Sequence, residues 1–129
     1  MPHIAVVEDD HANAYYIGSA LRRAGYEVTV TEDVDKLLAL ASGGKVDLVV
    51  MDVSLKHSTY AGKPITGDEI ARLLKDGPET AKIPILLATA HAMTGDRERL
   101  LAASKADLYL SKPMHLHTLL ATVSHLLRT

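Results

Sequence analysis

Three acidic residues in a row, Glu8-Asp9-Asp10, close the apolar run Ile4 to Val7, and a single acid, Asp52, closes a second run from Leu48 to Met51. Two further apolar runs end in groups of a different kind: Ile85 to Ala88 stops at Thr89, and Leu108 to Leu110 passes through Ser111 into Lys112-Pro113. If these runs are neighbouring parallel strands, their carboxyl ends lie along one edge of the sheet, where open α/β folds bind ligands. Carboxylates, a hydroxyl and an ammonium then meet in one place. Such a set suits phosphoryl transfer onto a carboxylate. Clustered acids repel one another unless a cation is present, and hard carboxylate oxygens favour Mg²⁺. With that ion in place Asp52 can act as the nucleophile, while Thr89 and Lys112 contact the transferring oxygens.

The elements that must hold these groups alternate along the chain. Strands are expected at His3 to Val7, Glu27 to Thr31, Leu48 to Met51, Ile83 to Ala88 and Leu108 to Leu110. Helical spacing of apolar residues predicts a first helix from Ala12 to Ala24, stopped by Gly25, and a last one carrying Leu116, Leu119, Leu120, Val123, Leu126 and Leu127 on one stripe. Helices two to four fall near Val34 to Ala41, Asp68 to Leu74 and Thr94 to Ala103. Strict alternation of this kind calls for an α/β fold, a doubly wound parallel sheet with helices on both faces. Gly43-Gly44 and Gly77-Pro78 read as turns. Lys56 to Thr66 is the one irregular segment, longer than the roughly 2–6 residues usual between a strand and a helix.

The ordered quartet of Glu8-Asp9, Asp52, Thr89-Ala90 and Lys112-Pro113 resembles the receiver domains of bacterial two-component response regulators over essentially the whole chain. The resemblance implies a five-stranded flavodoxin-like (βα)5 receiver fold with strand order 2-1-3-4-5 and a cis bond between Lys112 and Pro113. It identifies Asp52 as the phosphoacceptor, with Thr89 and Lys112 as phosphoryl contacts. Asp9 and Asp52 become direct Mg²⁺ ligands, Ser54 a ligand through its backbone carbonyl, and Glu8 a ligand through water. Thr89 and Tyr109 take the switch positions, and Ser54 and His91 flank the water that ends the signal. The implied donor is a phosphohistidine on a histidine kinase or histidine phosphotransfer protein, and the implied output is contact with a downstream protein. The chain is then a phosphoacceptor that promotes its own Mg²⁺-dependent phosphorylation and dephosphorylation rather than a conventional enzyme. One feature departs from the pattern. Receivers commonly carry a proline shortly after the acceptor and a short loop to a glycine; here Lys56 stands at the proline position and the matching glycine is Gly67.

Composition is consistent with a single receiver domain over residues 1–129, with no effector domain. At 129 residues and 47% apolar content the chain can bury its own core. Cysteine is absent, which excludes disulfides, thiolate catalysis and cysteine-based zinc sites. No apolar stretch reaches the roughly 18 residues of a membrane span and no signal-peptide pattern opens the chain, so a cytoplasmic protein without membrane insertion is expected. A formal net charge of −2 gives no reason to expect nucleic acid as a partner.

Taken singly, each motif has a plainer explanation. The acidic triplet could cap a helix, Asp52 could cap or turn, Thr89 could be a β-branched strand end, Lys112 a solvated charge and Tyr109 a core aromatic. Their joint order favours the site. The seven histidines read as surface residues, because His115 and His117 are two apart and share no helix face. Other classes fit less well. An aspartate-phosphorylating phosphatase of the haloacid-dehalogenase type would carry a second aspartate where Ser54 stands, and a flavin module would need an uncharged phosphate cradle where this chain has three acids. A phosphorylation-independent receiver acting as a protein-binding module remains the alternative function.

Overall fold

The computed structural model describes residues 1–90 and 95–128. Five strands form one parallel sheet: β1 (His3–Val7), β2 (Glu27–Thr31), β3 (Leu48–Asp52), β6 (Ile85–Thr89) and β7 (Leu108–Ser111), in the order β2-β1-β3-β6-β7. Counted without a small hairpin, this is the expected 2-1-3-4-5 order. Helices α1 (His11–Arg23), α2 (Val34–Ser42), α3 (Gly67–Asp76), α4 (Asp96–Ser104) and α5 (Leu116–Leu127) complete the alternation.

The central strands are apolar on both faces because each face is covered by helices. Ala5, Val7, Val49, Met51, Ile85 and Leu87 point into a cluster with Val34, Leu37, Ile70, Leu74 and Leu100, from α2, α3 and α4. The alternate residues Ile4, Val6, Leu48, Val50, Leu86 and Ala88 meet Ile17, Leu21, Leu119 and Val123 from α1 and α5. Period-two alternation in the sheet thus meets helical stripes above and below it. The register pairs Val7 with Met51, Asp52 with Ala88, and Thr89 with Ser111, which aligns the strand ends that carry polar groups.

Two expectations change. First, Lys56 to Thr66 is not irregular: it folds back as an antiparallel hairpin of β4 (Thr59–Tyr60) and β5 (Lys63–Pro64). Ala61 and Gly62 make its turn with φ of 54° and 80°, the pair of positive values that a type I′ connection needs. The segment is also anchored in the fold, since Ile65 is buried in the core and the Ser58 hydroxyl donates to the Glu32 carbonyl at 2.7 Å. Second, His3 is not a free surface histidine. Its ring is half-buried, with Nδ1 2.5 Å from the Lys45 carbonyl oxygen and Nε2 2.7 Å from Thr29 Oγ1. His11, His57, His115, His117 and His125 are exposed as expected, and His91 lies outside the described residues.

Candidate functional site

At the carboxyl edge of the sheet, β1 delivers Glu8 and Asp9, β3 delivers Asp52, β6 delivers Thr89 and β7 leads into Lys112. Glu8 and Asp52 are each only 4% exposed, whereas Asp9 is half-buried. The Lys112 ammonium donates to Glu8 Oε1 at 2.6 Å and lies 3.2 Å from Asp52 Oδ1. Lys112 is held there by its own backbone: its N–H donates to the Thr89 carbonyl at 2.7 Å, and the Lys112–Pro113 bond is cis, as the resemblance implied.

These contacts set the electrostatics. Burial pushes the Glu8 carboxyl up to about 7, the neighbouring Asp52 pushes the same way, and Lys112 opposes both without prevailing. Burial would lower the Lys112 ammonium, but its contacts with Glu8 and Asp52 outweigh that and hold it above its ordinary value. Asp10 has a different job. It is exposed and caps α1, its side chain accepting from the Asn13 N–H at 2.9 Å, and that backbone bond lowers its carboxyl below the ordinary range. The capping explanation therefore holds for the third acid of the triplet and not for the first two.

The backbone around Asp52 is tightly fixed. The Ser54 N–H donates to Asp52 Oδ1 at 3.2 Å, the Val53 N–H to the Ala88 carbonyl at 3.0 Å, and the Gly67 N–H to the Val53 carbonyl at 3.0 Å. A Cβ on Gly67 would sit 1.8 Å from the Asp52 carbonyl oxygen, so only glycine lets α3 start against the acceptor strand. That steric demand explains the glycine matched from the sequence.

Glu8, Asp9 and Asp52 each place a carboxylate oxygen within 4.8 Å of the other two. Three hard oxygen donors this close are a set that a divalent cation such as Mg²⁺ can bind, and binding would favour the ionised form of Glu8. Ser54, Lys56, His57 and Lys112 share the same cleft. Thr89 is fully buried at the end of β6, and Tyr109, half-buried on β7, packs against the core beneath α2 to α4. Every expected residue except His91 can thus be located, and those nearest the acids converge. Sequence reasoning missed the Lys56 backbone N–H, which donates to Asp9 Oδ2 at 2.7 Å. A main-chain donor leaves no mark in residue identity.

Comparison with known proteins bears on the family and the fold. The family model described as response regulator receiver domain matches residues 4–124. The polar-differentiation response regulator DivK of Brucella anthropi is 31% identical over 120 residues, covering 93% of this chain and 91% of that protein. The chemotaxis protein CheY4 of Vibrio cholerae superposes with a TM-score of 0.82 at 25% identity over 98% of both chains. A Francisella response regulator receiver domain gives the same TM-score at 23% identity, covering 99% of this chain and 98% of that one, a likeness of fold.

Proposed function

The chain belongs to the response regulator receiver domain family, and from that premise we propose that Asp52 accepts a phosphoryl group from a phosphohistidine on a histidine kinase or histidine phosphotransfer protein. The observation that carries this reading is the Asp52 carboxylate itself: it is buried, 3.2 Å from the Lys112 ammonium, and grouped with Glu8 and Asp9 at the sheet edge. In the transfer, the bond between phosphorus and the donor histidine nitrogen breaks as a bond to an Asp52 oxygen forms. Asp9 and Asp52 would hold Mg²⁺ directly, Ser54 through its backbone carbonyl and Glu8 through water, and the ion would supply positive charge to offset that of the transferring oxygens. Lys112 supplies the fixed positive charge, pairing with the phosphoryl group in exchange for part of its contact with Glu8. The Thr89 hydroxyl donates to a second phosphoryl oxygen.

Residues 1–129 work as one receiver unit whose output is protein contact. Drawing Thr89 toward the phosphoryl group frees space for Tyr109 and reshapes the surface of α4, β7 and α5. Ser54 lines the cleft that the water hydrolysing the acyl phosphate must enter, and the same lifetime-tuning role expected of His91 falls on a residue outside the described ones. A phosphorylation-independent receiver would have no need of these acids and this lysine together, which weighs against the alternative. The test is phosphotransfer: with Mg²⁺ present, label on a phosphorylated kinase or phosphotransfer protein should move to the wild-type chain and not to Asp52→Asn. Label retained on every phosphohistidine donor of the host would refute the reading.

A further inference from the structure

Asp9 is the most exposed member of the acidic trio, and Glu8 and Asp52 repel it toward solvent. One contact opposes that drift. The Lys56 backbone N–H donates to Asp9 Oδ2 at 2.7 Å, a short, charge-assisted bond reaching 47 residues along the chain. The N–H is itself held in place from both sides. Leu55 before it is buried, and beyond it the Ser58 hydroxyl donates to the Glu32 carbonyl at 2.7 Å. The Ile65 N–H then closes the hairpin onto the Ser58 carbonyl at 3.2 Å. Lys56 is exposed, and the bond it makes to the acids comes from its main chain. A proline here could not contribute it, having no N–H.

We propose that the Lys56 backbone N–H is a positioning group of the metal site, and that the β4–β5 hairpin is the brace that holds it. By accepting from Lys56, the Asp9 carboxylate keeps one orientation and leaves an oxygen within reach of Glu8 and Asp52. Cation binding then requires no reordering of Asp9 against like-charge repulsion. The inference rests on the reading of Glu8, Asp9 and Asp52 as an Mg²⁺ site. It gives the long connection after Asp52 a task that a short loop carrying proline would leave undone.

The experiment is Mg²⁺ titration of the full chain, followed by calorimetry and by amide chemical shifts, on wild type, Lys56→Ala and Lys56→Pro. Lys56→Ala keeps the N–H and should bind within about twofold of wild type, whereas Lys56→Pro should bind about 10-fold more weakly, as loss of an outer-sphere partner typically does. The Ile65 amide should stay protected from hydrogen exchange in both variants, which separates a positioning effect from loss of the hairpin. Equal affinity of the proline and alanine variants overturns the proposal. A second measurement does not depend on the proline variant folding. In wild type the Lys56 amide should be protected, and Asp9→Ala should release it while Ile65 stays protected; a Lys56 amide exchanging like a fully exposed one overturns the proposal by itself. Wild type that fails to bind Mg²⁺ refutes the metal-site reading instead, a result distinguishable from failure of positioning.

Discussion

Replacing Glu8 with glutamine removes a carboxyl that folding has pushed from an ordinary 4.5 to about 7. Below the lower value the group is protonated whether the chain is folded or not, and it adds no pH dependence. Between the two values the unfolded chain gives up the proton while the folded chain keeps it, so stability falls as pH rises. Above about 7 both states are ionised and the loss is complete. A displacement of that size corresponds to about 3 kcal/mol, and local rearrangement around Lys112 reduces the expectation to about 1–3 kcal/mol. Glutamine cannot ionise and so escapes the penalty. In EDTA, urea denaturation from about pH 5 to about pH 8 should show Glu8→Gln gaining on wild type by that amount as pH rises. Saturating Mg²⁺ should reverse the order at high pH, because the ionised glutamate then has a cation to face. Parallel pH profiles for the two proteins in EDTA would refute the assignment of a raised Glu8, and with it the view that this acid is the strained member of the cluster.

Other consequences are equally direct. Gly67→Ala puts a Cβ 1.8 Å from the Asp52 carbonyl oxygen and should cost about 3 kcal/mol or more in chemical denaturation, with phosphorylation slowed too; a loss below about 1 kcal/mol would contradict the close approach. Replacing Thr59–Pro64 by a shorter polar link while keeping Leu55, Ser58 and Ile65 should cost about 1 kcal/mol or less and, at saturating Mg²⁺, spare labelling by a small phosphodonor while slowing transfer from the cognate donor protein. Equal loss of both activities at saturating Mg²⁺ would rule out a role of the hairpin in recognising the donor. Thr89→Ala should still accept phosphate but leave the amide and ring resonances of Tyr109 unresponsive to it; an unaltered response would break the link between the two residues.

The parts of this fold that sequence makes plain are those where one physical demand acts alone. Strands β1, β3 and β6 are buried on both faces, so their apolar runs are continuous and end abruptly at Glu8, Asp52 and Thr89. The same abruptness exposes the site. β6 begins at Ile85 rather than Ile83, because Pro84 has no N–H to give a ladder and the Ile85 N–H is taken by the Asp107 side chain at 2.8 Å. The hairpin was hidden for a different reason. Its turn uses Ala61 with φ of 54° before Gly62, where asparagine or aspartate would have announced a type I′ connection. His3 escaped because its two ring contacts come from Thr29 and Lys45, residues no local pattern connects to it. The second of the acids needed more than identity as well: Asp9 owes its orientation to a main-chain donor 47 residues away, and long-range backbone contacts are set by the fold, not by residue type.

The central claim, that Asp52 is a phosphoacceptor in an Mg²⁺-dependent site, is tested most directly by intact mass after incubation with a small-molecule phosphodonor. Wild type with Mg²⁺ should gain the mass of one phosphoryl group, and wild type with EDTA or Asp52→Asn with Mg²⁺ should gain none. Phosphorylation of Asp52→Asn to the same extent as wild type, or labelling of wild type that is indifferent to EDTA, would contradict it.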